Sequence, residues 1–385
     1  MNWLRTQRRK YRRWRQEVRA MREVVAVAKS ARRNLSANPQ IFIGPTNSAG
    51  QASSWARALT ASGLPAKSMR IVNADEEFFS ADISLARLDW VKFSSRLKLA
   101  NQIGAEFSAV LLESIRPLFA LKVDKSFNAI NAIQDLKLLR RVGKKVAVVF
   151  HGSDIRDMDY HASVNPFSPY RNAGSDADAV KVRSTEARSV IPALRRARVP
   201  IFITTPDLFH EVPDATWLPL SINLEPYFKI AEGFPAFAHN APPRVLYLPS
   251  KSWVKSAEII EPILRKLDGE GVIQWVRSDR VSNDALPQLL STCDVLVDQF
   301  IGIVGALPVE AMAAGRMVLT HLEEWAYEKI AKPPVTEITP ESLERVLREL
   351  KIDSEQISAG TAYVTKWHDG TMSSKLLREK LLPKK

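Results

Sequence analysis

A glutamate and two nearby glycines in the last third of the sequence lie in a segment that reads as strand, loop, short helix and strand. The run VLVDQF at 295–300, apolar at four of its six positions, predicts a strand buried on both faces, and Gly302 and Gly305 follow it closely. Pro308 suits the first turn of a helix, where its missing N–H has no intrahelical partner. The N–H groups of such a loop and first turn bind phosphate, while Glu310 can accept hydrogen bonds from two ribose hydroxyls. The alternative is that Glu310 caps its own helix.

A basic loop follows another predicted strand, 244–248, in the same half of the chain. Ligands of open parallel sheets bind at the carboxyl ends of the strands, which is where this loop, PSKSWVK at 249–255, begins. The ammonium group of Lys255 can pair with a diphosphate there, although most loop lysines are simply solvated. The other polar residues of the loop are Ser250, Lys251 and Ser252.

A third polar cluster, HGSDIR at 151–156, follows the predicted strand 145–150. It also occupies the carboxyl end of a strand, so His151, Asp154 and Arg156 are candidate ligand-binding residues. A histidine in such a position is also often a hydrogen-bonded structural residue. Both interpretations of His151 stay open at this point.

The first strand-loop-helix unit of the body contains a fourth candidate loop, GPTNSAGQ at 44–51. Its glycine spacing is not G-x-G-x-x-G, so the dinucleotide-binding fingerprint is absent. Gly44 and Gly50 allow the backbone to approach a ligand closely. The short polar groups that the loop offers to a ligand belong to Asn47, Ser48 and Gln51. The alternative is an ordinary loop with an Asn or Ser helix cap.

Strands and helices alternate through the body of the chain, which predicts parallel sheets. The predicted strands lie at 40–44, 69–73, 108–113, 145–150, 199–204, 244–248, 272–276, 295–300 and 317–320. With 385 residues, 45% of them hydrophobic, the chain is long enough for two domains. We predict Rossmann-like domains at 39–225 and 226–353, with a hinge near 222–243. Residues 354–385 are predicted to form a helical tail.

The first 38 residues differ from the body in charge. They hold twelve of the 55 Lys and Arg residues but two of the 42 Asp and Glu residues, so most of the formal net charge of +13 lies there. Apolar residues at spacings of three and four from Leu4 to Ala28 predict a basic amphipathic helix over residues 1–38. Three partners fit such a helix: an anionic membrane surface reached through residues 1–35, the protein's own body or a second copy, and nucleic acid.

Composition excludes several classes of protein. The single cysteine, Cys293, rules out an intramolecular disulfide framework and a cysteine-rich metal site. No run of eighteen apolar residues and no secretory apolar core occur, so we expect a cytoplasmic protein, attached peripherally at the inner face of the cell membrane if its N-terminus binds lipid. Two Asp-x-Asp pairs, at 157–159 and 176–178, lack accompanying histidine ligands, so no metal is expected.

Several of these clusters resemble motifs of one enzyme family. The segment PVEAMAAGRMVLT at 308–320 resembles the EAMA-x-G-x-PV segment of the family 4 retaining glycosyltransferases, which have the GT-B fold. A bacterial subgroup has D-Q-x-x-x-G-x-x-G before EAMA. With slightly shorter glycine spacing, the matching residues here are Asp298, Gln299, Gly302, Gly305 and Glu310. HGSDIR with NPF at 165–167, and PSKSWVK in place of P-S-x-R-x-x-K-G, are similar to motifs of the same subgroup.

The resemblance implies an α/β protein with two Rossmann-like domains whose parallel sheets face a central cleft, and a tail that crosses back to the first domain. It implies a nucleoside diphosphate sugar as donor, bound mainly by the second domain, and a glycan or lipid-linked acceptor at the first. Transfer would retain the anomeric configuration and need neither metal nor cofactor.

Residue roles also follow from the resemblance. His151 would contact the donor sugar, Lys255 would clamp the diphosphate, and Glu310 would bind the ribose, so these three residues are expected to carry the transfer. Asp154 and Arg156 would hold their loop or bind acceptor hydroxyls. The loop at 44–51 would approach the donor phosphate and the acceptor.

Two departures from the family pattern leave alternatives to a transferase. Gly302 stands where many members have a glutamate, and Ser252 stands where the subgroup has an arginine, with Lys251 beside it. A binding or scaffold protein that kept the fold and lost the chemistry would fit both changes. A sugar-nucleotide epimerase, which needs no acceptor, is the other alternative.

Overall fold

The computed structural model of the chain describes residues 19–20, 22–32, 40–72, 79–119, 129–171, 174–235, 241–249, 256–279 and 281–382. The chain divides into two compact units. The first comprises Met1–His151, Glu186–Phe202 and Ser374–Lys385. The second comprises Gly152–Thr185 and Ile203–Ser373.

Seven strands of the described chain form one sheet. They are β1 (Ile41–Gly44), β2 (Ala66–Val72), β3 (Ile83–Ala86), β4 (Ala109–Glu113), β5 (Lys145–Phe150), β6 (Ile201–Ile203) and β7 (Thr216–Trp217), in the spatial order β3-β2-β1-β4-β5-β6-β7. Strand β1 pairs in parallel with both β2 and β4, and β4 pairs in parallel with β5. Every residue of β1 and β4 is buried, as the continuous apolar sequence of a central parallel strand predicts.

Five more strands of the described residues form the second sheet. They are β8 (Arg244–Tyr247), β9 (Gln274–Val276), β10 (Val295–Val297), β11 (Met317–Thr320) and β12 (Thr336–Glu337), in the order β12-β11-β10-β8-β9, with parallel pairing throughout. Alternate residues of its strands face opposite sides. Leu246, Leu296 and Val318 belong to one core cluster, whereas Val245, Val295 and Met317 belong to another.

Helices connect the strands. They are α1 (22–31), α2 (Gln51–Ala61), α3 (Arg87–Trp90), α4 (Phe93–Glu106), α5 (Ala129–Arg141), α6 (Met158–Val164), α7 (Ser175–Arg188), α8 (Ile191–Arg196), α9 (Glu225–Gly233), α10 (Ala257–Gly269), α11 (Leu286–Leu290), α12 (Ala306–Ala313), α13 (Leu343–Arg348), α14 (Ser354–His368) and α15 (Thr371–Leu381). The predicted α/β class with two parallel sheets is confirmed. Most of the predicted basic N-terminal helix lies outside the described residues.

The described part of the N-terminal segment packs against the first unit. Val24, Ala28 and Ala31, on one face of α1, are buried. Gly104 of α4 lies so close that a Cβ there would be 2.5 Å from the Ala28 carbonyl oxygen. The apolar face of residues 22–31 is therefore used within the protein, which favours packing against the body over the other two interpretations for this stretch.

The end of the chain returns to the first unit. Helix α14 belongs to the second unit, while Ser374–Lys385, which includes most of α15, belongs to the first. Arg378 of α15 donates a hydrogen bond of 2.8 Å to the carbonyl oxygen of Ser62, directly after α2.

Candidate functional site

A glycine loop connects β10 to α12 in the second unit. Residues 304–307, at the end of the loop and the start of the helix, are half-buried, whereas residues 308–313 are buried. The first N–H groups of a helix have no intrahelical acceptor and carry partial positive charge. This partly exposed end of α12 can therefore bind an anion.

The loop has its shape because of contacts on its other side. Asn165 donates 3.1 Å to the Phe300 carbonyl oxygen, and His161 Nε2 lies 3.0 Å from the Ile301 carbonyl oxygen. The Val304 N–H donates 3.1 Å to the Tyr327 hydroxyl. Burial lowers the pKa of His161 to about 4, so its ring is neutral at physiological pH and donates to the carbonyl through Nε2.

A side chain at position 302 would be strained in this loop. Its φ is +90°, and an added Cβ would lie 2.4 Å from Cγ of Glu323. The Glu323 N–H also donates 2.9 Å to the Gly302 carbonyl oxygen. The glycine at a position where many family 4 enzymes have glutamate is thus accounted for by the backbone and by Glu323.

Glu310 points into a buried part of the second unit. Its side chain accepts a hydrogen bond of 3.1 Å from the Tyr227 hydroxyl of α9. Burial raises the pKa of the Glu310 carboxyl to about 7, although the bond from Tyr227 partly offsets that effect. Burial, and then the neighbouring Glu310, hold the pKa of Tyr227 well above its ordinary value, so the phenol stays a donor. Sequence reasoning missed Tyr227, which lies in the predicted hinge, because hydroxyl pairing across 83 residues has no local signal.

A second polar cluster follows β11 and β12. His321 Nδ1 lies 2.5 Å from Glu337 Oε1, and His321 Nε2 lies 3.1 Å from Glu323 Oε1. Burial alone would lower the pKa of His321, but the two carboxylates raise it above its ordinary value. The sequence signal for this cluster is the polar HLE directly after the strand 317–320, at a carboxyl end where ligands bind.

Arg156 lies in a buried ion pair. Its guanidinium donates to Asp207, and Nη1 donates 3.0 Å to the Tyr170 hydroxyl. Burial alone would lower the pKa of Arg156, but Asp207 and Tyr170 raise it above its ordinary value. This geometry fits the first of its two expected roles, holding the loop. Asp154 is half-buried in the same loop.

Loop 44–51 of the first unit is organised by a residue that sequence reasoning missed. Glu113, at the carboxyl end of β4, is fully buried. Its Oε2 accepts from the N–H groups of Thr46 (2.9 Å) and Asn47 (2.8 Å), and its Oε1 accepts from that of Ser48 (3.3 Å). These three amides bind an internal carboxylate. The available signal was a glutamate ending an otherwise apolar predicted strand.

His151 lies beside the carboxylate of Glu113. Its Nε2 lies 3.3 Å from Glu113 Oε1, and its ring stacks on Trp55 of α2 at a centroid distance of 5.7 Å and an interplanar angle of 13°. The structure therefore brings His151 and loop 44–51 together through Glu113.

The remaining polar residues of that loop serve largely internal contacts. Asn47 Oδ1 accepts from the N–H of Ser53 in the first turn of α2, and Asn47 Nδ2 donates to the Ser80 carbonyl oxygen. Gln51 is buried. Gly44 packs tightly, since a Cβ there would lie 3.0 Å from the Met69 carbonyl oxygen, and Gly50 has a φ of +72°. Asn47 therefore connects the loop to α2 and to residue 80 within the first unit.

The basic loop lies outside the described residues. Ser250, Lys251, Ser252 and Lys255 all belong to it. Within the ranges that the structure describes, no group of three or more His, Cys, Asp or Glu side chains is arranged to hold a metal ion. In those same ranges, no helix combines the length and hydropathy of a membrane span.

Comparison with known proteins gives matches of structure and none of sequence. Neither a protein-family model nor a curated protein matches the chain. Sucrose-phosphate synthase from Thermosynechococcus elongatus is similar in structure, with a TM-score of 0.57 and 12% identity, over 89% of this chain and 98% of that one. Anabaena HepE, solved in complex with UDP-glucose, has a TM-score of 0.54 and 11% identity, over 89% and 99%.

A glycosyltransferase from Rickettsia africae gives a similar match, with a TM-score of 0.53 and 11% identity, over 91% of this chain and 100% of that one. At such identities the likeness is one of fold. The chain has the α/β fold with two parallel sheets, GT-B, that these glycosyltransferases share.

Proposed function

We propose that the protein is a glycosyltransferase that moves a sugar, in the manner of a hexosyltransferase, from a nucleoside diphosphate sugar to a glycan or lipid-linked acceptor. The observation that carries the proposal is the glycine loop with Glu310. A partly exposed helix N-terminus and a buried carboxylate lie within one turn and a half of each other in α12. The fold shared with glycosyltransferases, one of them solved with UDP-glucose, supports the same donor class.

The donor's parts match these groups. The diphosphate binds the N–H groups at the start of α12, where the helix dipole favours negative charge. The ribose hydroxyls donate to Glu310, whose carboxylate has a pKa of about 7 because it is buried. New hydroxyl donors stabilise the charged form of a buried carboxylate, so donor binding and ionisation of Glu310 favour each other. Lys255, from the basic loop, supplies a second positive group for the diphosphate.

Sugar transfer from such a donor requires stabilisation of the leaving diphosphate. Cleavage of the donor's glycosidic bond places positive character on the anomeric carbon and negative charge on the leaving oxygen. Preorganised N–H groups and a lysine can stabilise that charge without a metal. His151 contacts the donor sugar, and the acceptor binds at loop 44–51 in this proposal. Retention of configuration is proposed from the resemblance to family 4 enzymes.

The N-terminal segment is proposed to bind an anionic membrane surface at the cytoplasmic side. Helix α1 already buries its apolar face, so the lipid contact falls to residues 1–18. These hold seven Lys and Arg residues with Trp3, Tyr11 and Trp14, a composition that suits the headgroup region. A variant lacking residues 1–18 should lose flotation with anionic liposomes, and unchanged flotation would contradict the assignment.

The donor is tested by thermal shift with UDP, GDP, ADP, CMP and their sugars. We expect one nucleoside diphosphate to raise the melting temperature selectively. The Glu310→Gln variant should lose most of that rise, whereas Glu341→Gln, the same change at an exposed site of the same unit, should keep it. No rise with any nucleotide would contradict the proposed function. Release of free sugar from the donor separates an enzyme from a scaffold that binds nucleotide without turnover.

A further inference from the structure

Segment 321–323, directly after β11, supports the glycine loop that connects β10 to α12. The His321 N–H donates 3.1 Å to the Gln299 carbonyl oxygen, and the Glu323 N–H donates 2.9 Å to the Gly302 carbonyl oxygen. The parallel pairing of β10 with β11 thus continues past the ends of both strands. Because the loop leads directly into α12, the position of the start of that helix depends on this segment.

A side chain of the neighbouring strand holds the segment in turn. The carboxylate of Glu337, in β12, accepts from the Leu322 N–H, with both oxygens at 3.2 Å. The same carboxylate lies 2.5 Å from His321 Nδ1, while His321 Nε2 lies 3.1 Å from Glu323 Oε1. The side chain of Glu323 packs on Gly302, since its Cγ would be 2.4 Å from a Cβ there. One imidazole ring therefore links β12 to the side chain that packs on the glycine loop.

The two hydrogen bonds of the His321 ring determine its charge. An ionised carboxylate is an acceptor only, and a neutral imidazole has a single N–H. The ring can therefore donate to both Glu323 and Glu337 in their ionised forms only as an imidazolium, with a proton on each nitrogen. Burial opposes the charged form, but the two carboxylates raise the pKa of His321 above its ordinary value. His161 of α6 also lies near the ring, but burial lowers its pKa to about 4, so it brings no second charge.

We infer that His321 is a positioning residue for the donor: as an imidazolium between Glu323 and Glu337, it fixes segment 321–323 and with it the glycine loop and the start of α12, where the diphosphate is proposed to bind. Loss of its proton leaves one of the two carboxylates without a donor and weakens the link between β12 and the loop. The consequence for the donor rests on the proposed function. The charge of the ring and the rigidity of the loop do not depend on a ligand and can be measured in the protein alone.

Nitrogen-15 NMR of the His321 ring tests its charge. Its resonances are recognised by their loss in His321→Gln. We expect a titration midpoint above the ordinary value of 6.5, and a lower midpoint in both Glu323→Gln and Glu337→Gln, because each change removes a negative charge beside the ring. Glu328→Gln, the same change at an exposed site a few residues away, should leave the midpoint where it is. A midpoint at or below 6.5 in the wild type, or one that neither change lowers, would overturn the inference.

Amide hydrogen exchange tests the loop. His321→Gln replaces the charged ring by a neutral amide, so exchange should rise about 10-fold at residues 299–305 and 321–323, as the loss of one charge-assisted hydrogen bond implies. The amides of α10 in the same unit should stay as protected as in the wild type. Glu337→Gln, a change at a half-exposed side chain, should act in the same direction and serves if His321→Gln does not fold. Unchanged exchange of the two segments would overturn the inference.

Titration calorimetry with UDP, GDP and ADP tests the consequence for the donor. Below the midpoint of His321, the nucleoside diphosphate that binds should bind the wild type about 3- to 10-fold more tightly than His321→Gln. That ratio should approach one as pH rises above the midpoint, because the neutral ring then resembles the neutral amide. The ionisation of Glu310 is common to both proteins and cancels in the ratio.

A ratio of affinities that does not change with pH would mean that His321 has only a structural role, and would overturn the inference. If the wild type bound none of the three nucleotides, the proposed function would be contradicted, and the consequence for the donor with it. The titration and exchange measurements would still decide whether the charged ring fixes the loop, so the two failures are distinguished.

Discussion

Two buried glutamates, one in each unit, differ in the number of hydrogen bonds that their carboxylates accept. Glu113 accepts hydrogen bonds from three backbone N–H groups and lies beside an imidazole. Glu310, in the part of the chain that the structure describes, accepts one hydrogen bond, from Tyr227. Burial raises the pKa of Glu310 to about 7 because that single donor compensates little of the lost hydration.

The number of hydrogen bonds that a buried carboxylate accepts within the protein indicates whether it stabilises its own loop or is suited to bind a ligand. A carboxylate with its hydrogen bonds satisfied inside the protein stabilises the loop that surrounds it. A buried carboxylate with few donors costs free energy when it ionises, and a ligand that brings hydroxyl donors removes that cost. Glu113 therefore stabilises its own loop, and Glu310 is suited to the proposed role of binding the donor.

The largest expected effect is the loss of transfer in Glu310→Ala and in Lys255→Ala. Each change removes a group that we propose binds the donor's ribose or diphosphate, and we expect kcat/KM to fall at least about 100-fold while the fold persists. Sugar transfer measured with the donor identified by thermal shift checks this, with far-ultraviolet circular dichroism as the control for folding. Full activity in either variant would contradict the donor-site assignment.

Glu113→Ala should have the largest effect on stability. It leaves three N–H groups, one buried and two partly buried, without their acceptor. An unsatisfied buried group costs about 1–3 kcal/mol, and part of the total cost is recovered as the loop relaxes and water enters. We expect the free energy of unfolding in urea to fall by about 2–4 kcal/mol. Glu106→Gln, at an exposed ion pair with Lys67, should change it by less than about 0.5 kcal/mol. If Glu113→Ala and Glu106→Gln lowered the free energy of unfolding equally, the hydrogen bonds to Glu113 would contribute no more to stability than an exposed ion pair.

The ionisation of Glu310 should make the apo protein less stable as pH rises. Below its ordinary pKa of 4.5 the carboxyl is protonated in both states. Between there and about 7 the unfolded chain releases the proton and the folded chain keeps it, so the free energy of unfolding falls as pH increases. Glu310→Gln removes this contribution and should be more stable than the wild type at pH 8, by on the order of 1–3 kcal/mol. If the free energies of unfolding of the two proteins changed with pH in the same way, the pKa of Glu310 in the folded protein would have its ordinary value.

Tyr227→Phe should have the smallest effect. Removal of the hydroxyl takes away a donor to Glu310, so the pKa of that carboxyl rises further above its ordinary range. We expect donor affinity at pH 7 to fall about two- to fivefold and to recover toward pH 9, since the ionised form of Glu310 is the one proposed to accept the ribose hydroxyls. Titration calorimetry from pH 6 to 9 measures the shift. An unchanged pH midpoint would mean that Tyr227 does not tune Glu310.

Much of the fold could be predicted from apolar runs. The strand 145–150 was predicted at the bounds that the structure shows, and so was 317–320, because central parallel strands are buried on both faces and have continuous apolar sequence. The predicted strand 295–300 ends at Val297, since the buried residues after it belong to the glycine loop. Strand β3 was missed because its residues are alternately half-buried and exposed at the edge of its sheet.

The site could be predicted in part. Glycine and proline spacing predicted the loop at 302–305 and the start of α12 near Pro308, because these residues limit the backbone locally. The hinge predicted from composition at 222–243 contains helix α9, which carries Tyr227. Tyr227 and Ile230 of this helix belong to a core cluster of the second unit.

The sequence by itself determined the two parallel sheets, the carboxyl-end loops and the candidate residues on them, because periodicity, glycine and proline act over a few neighbouring positions. The tertiary structure alone decided how each glutamate is solvated. Glu113 meets amides 65 to 67 residues away, and Glu310 meets a hydroxyl 83 residues away. The charge and role of a buried carboxylate depend on the donors that the fold brings within hydrogen-bonding distance, and no local pattern encodes them.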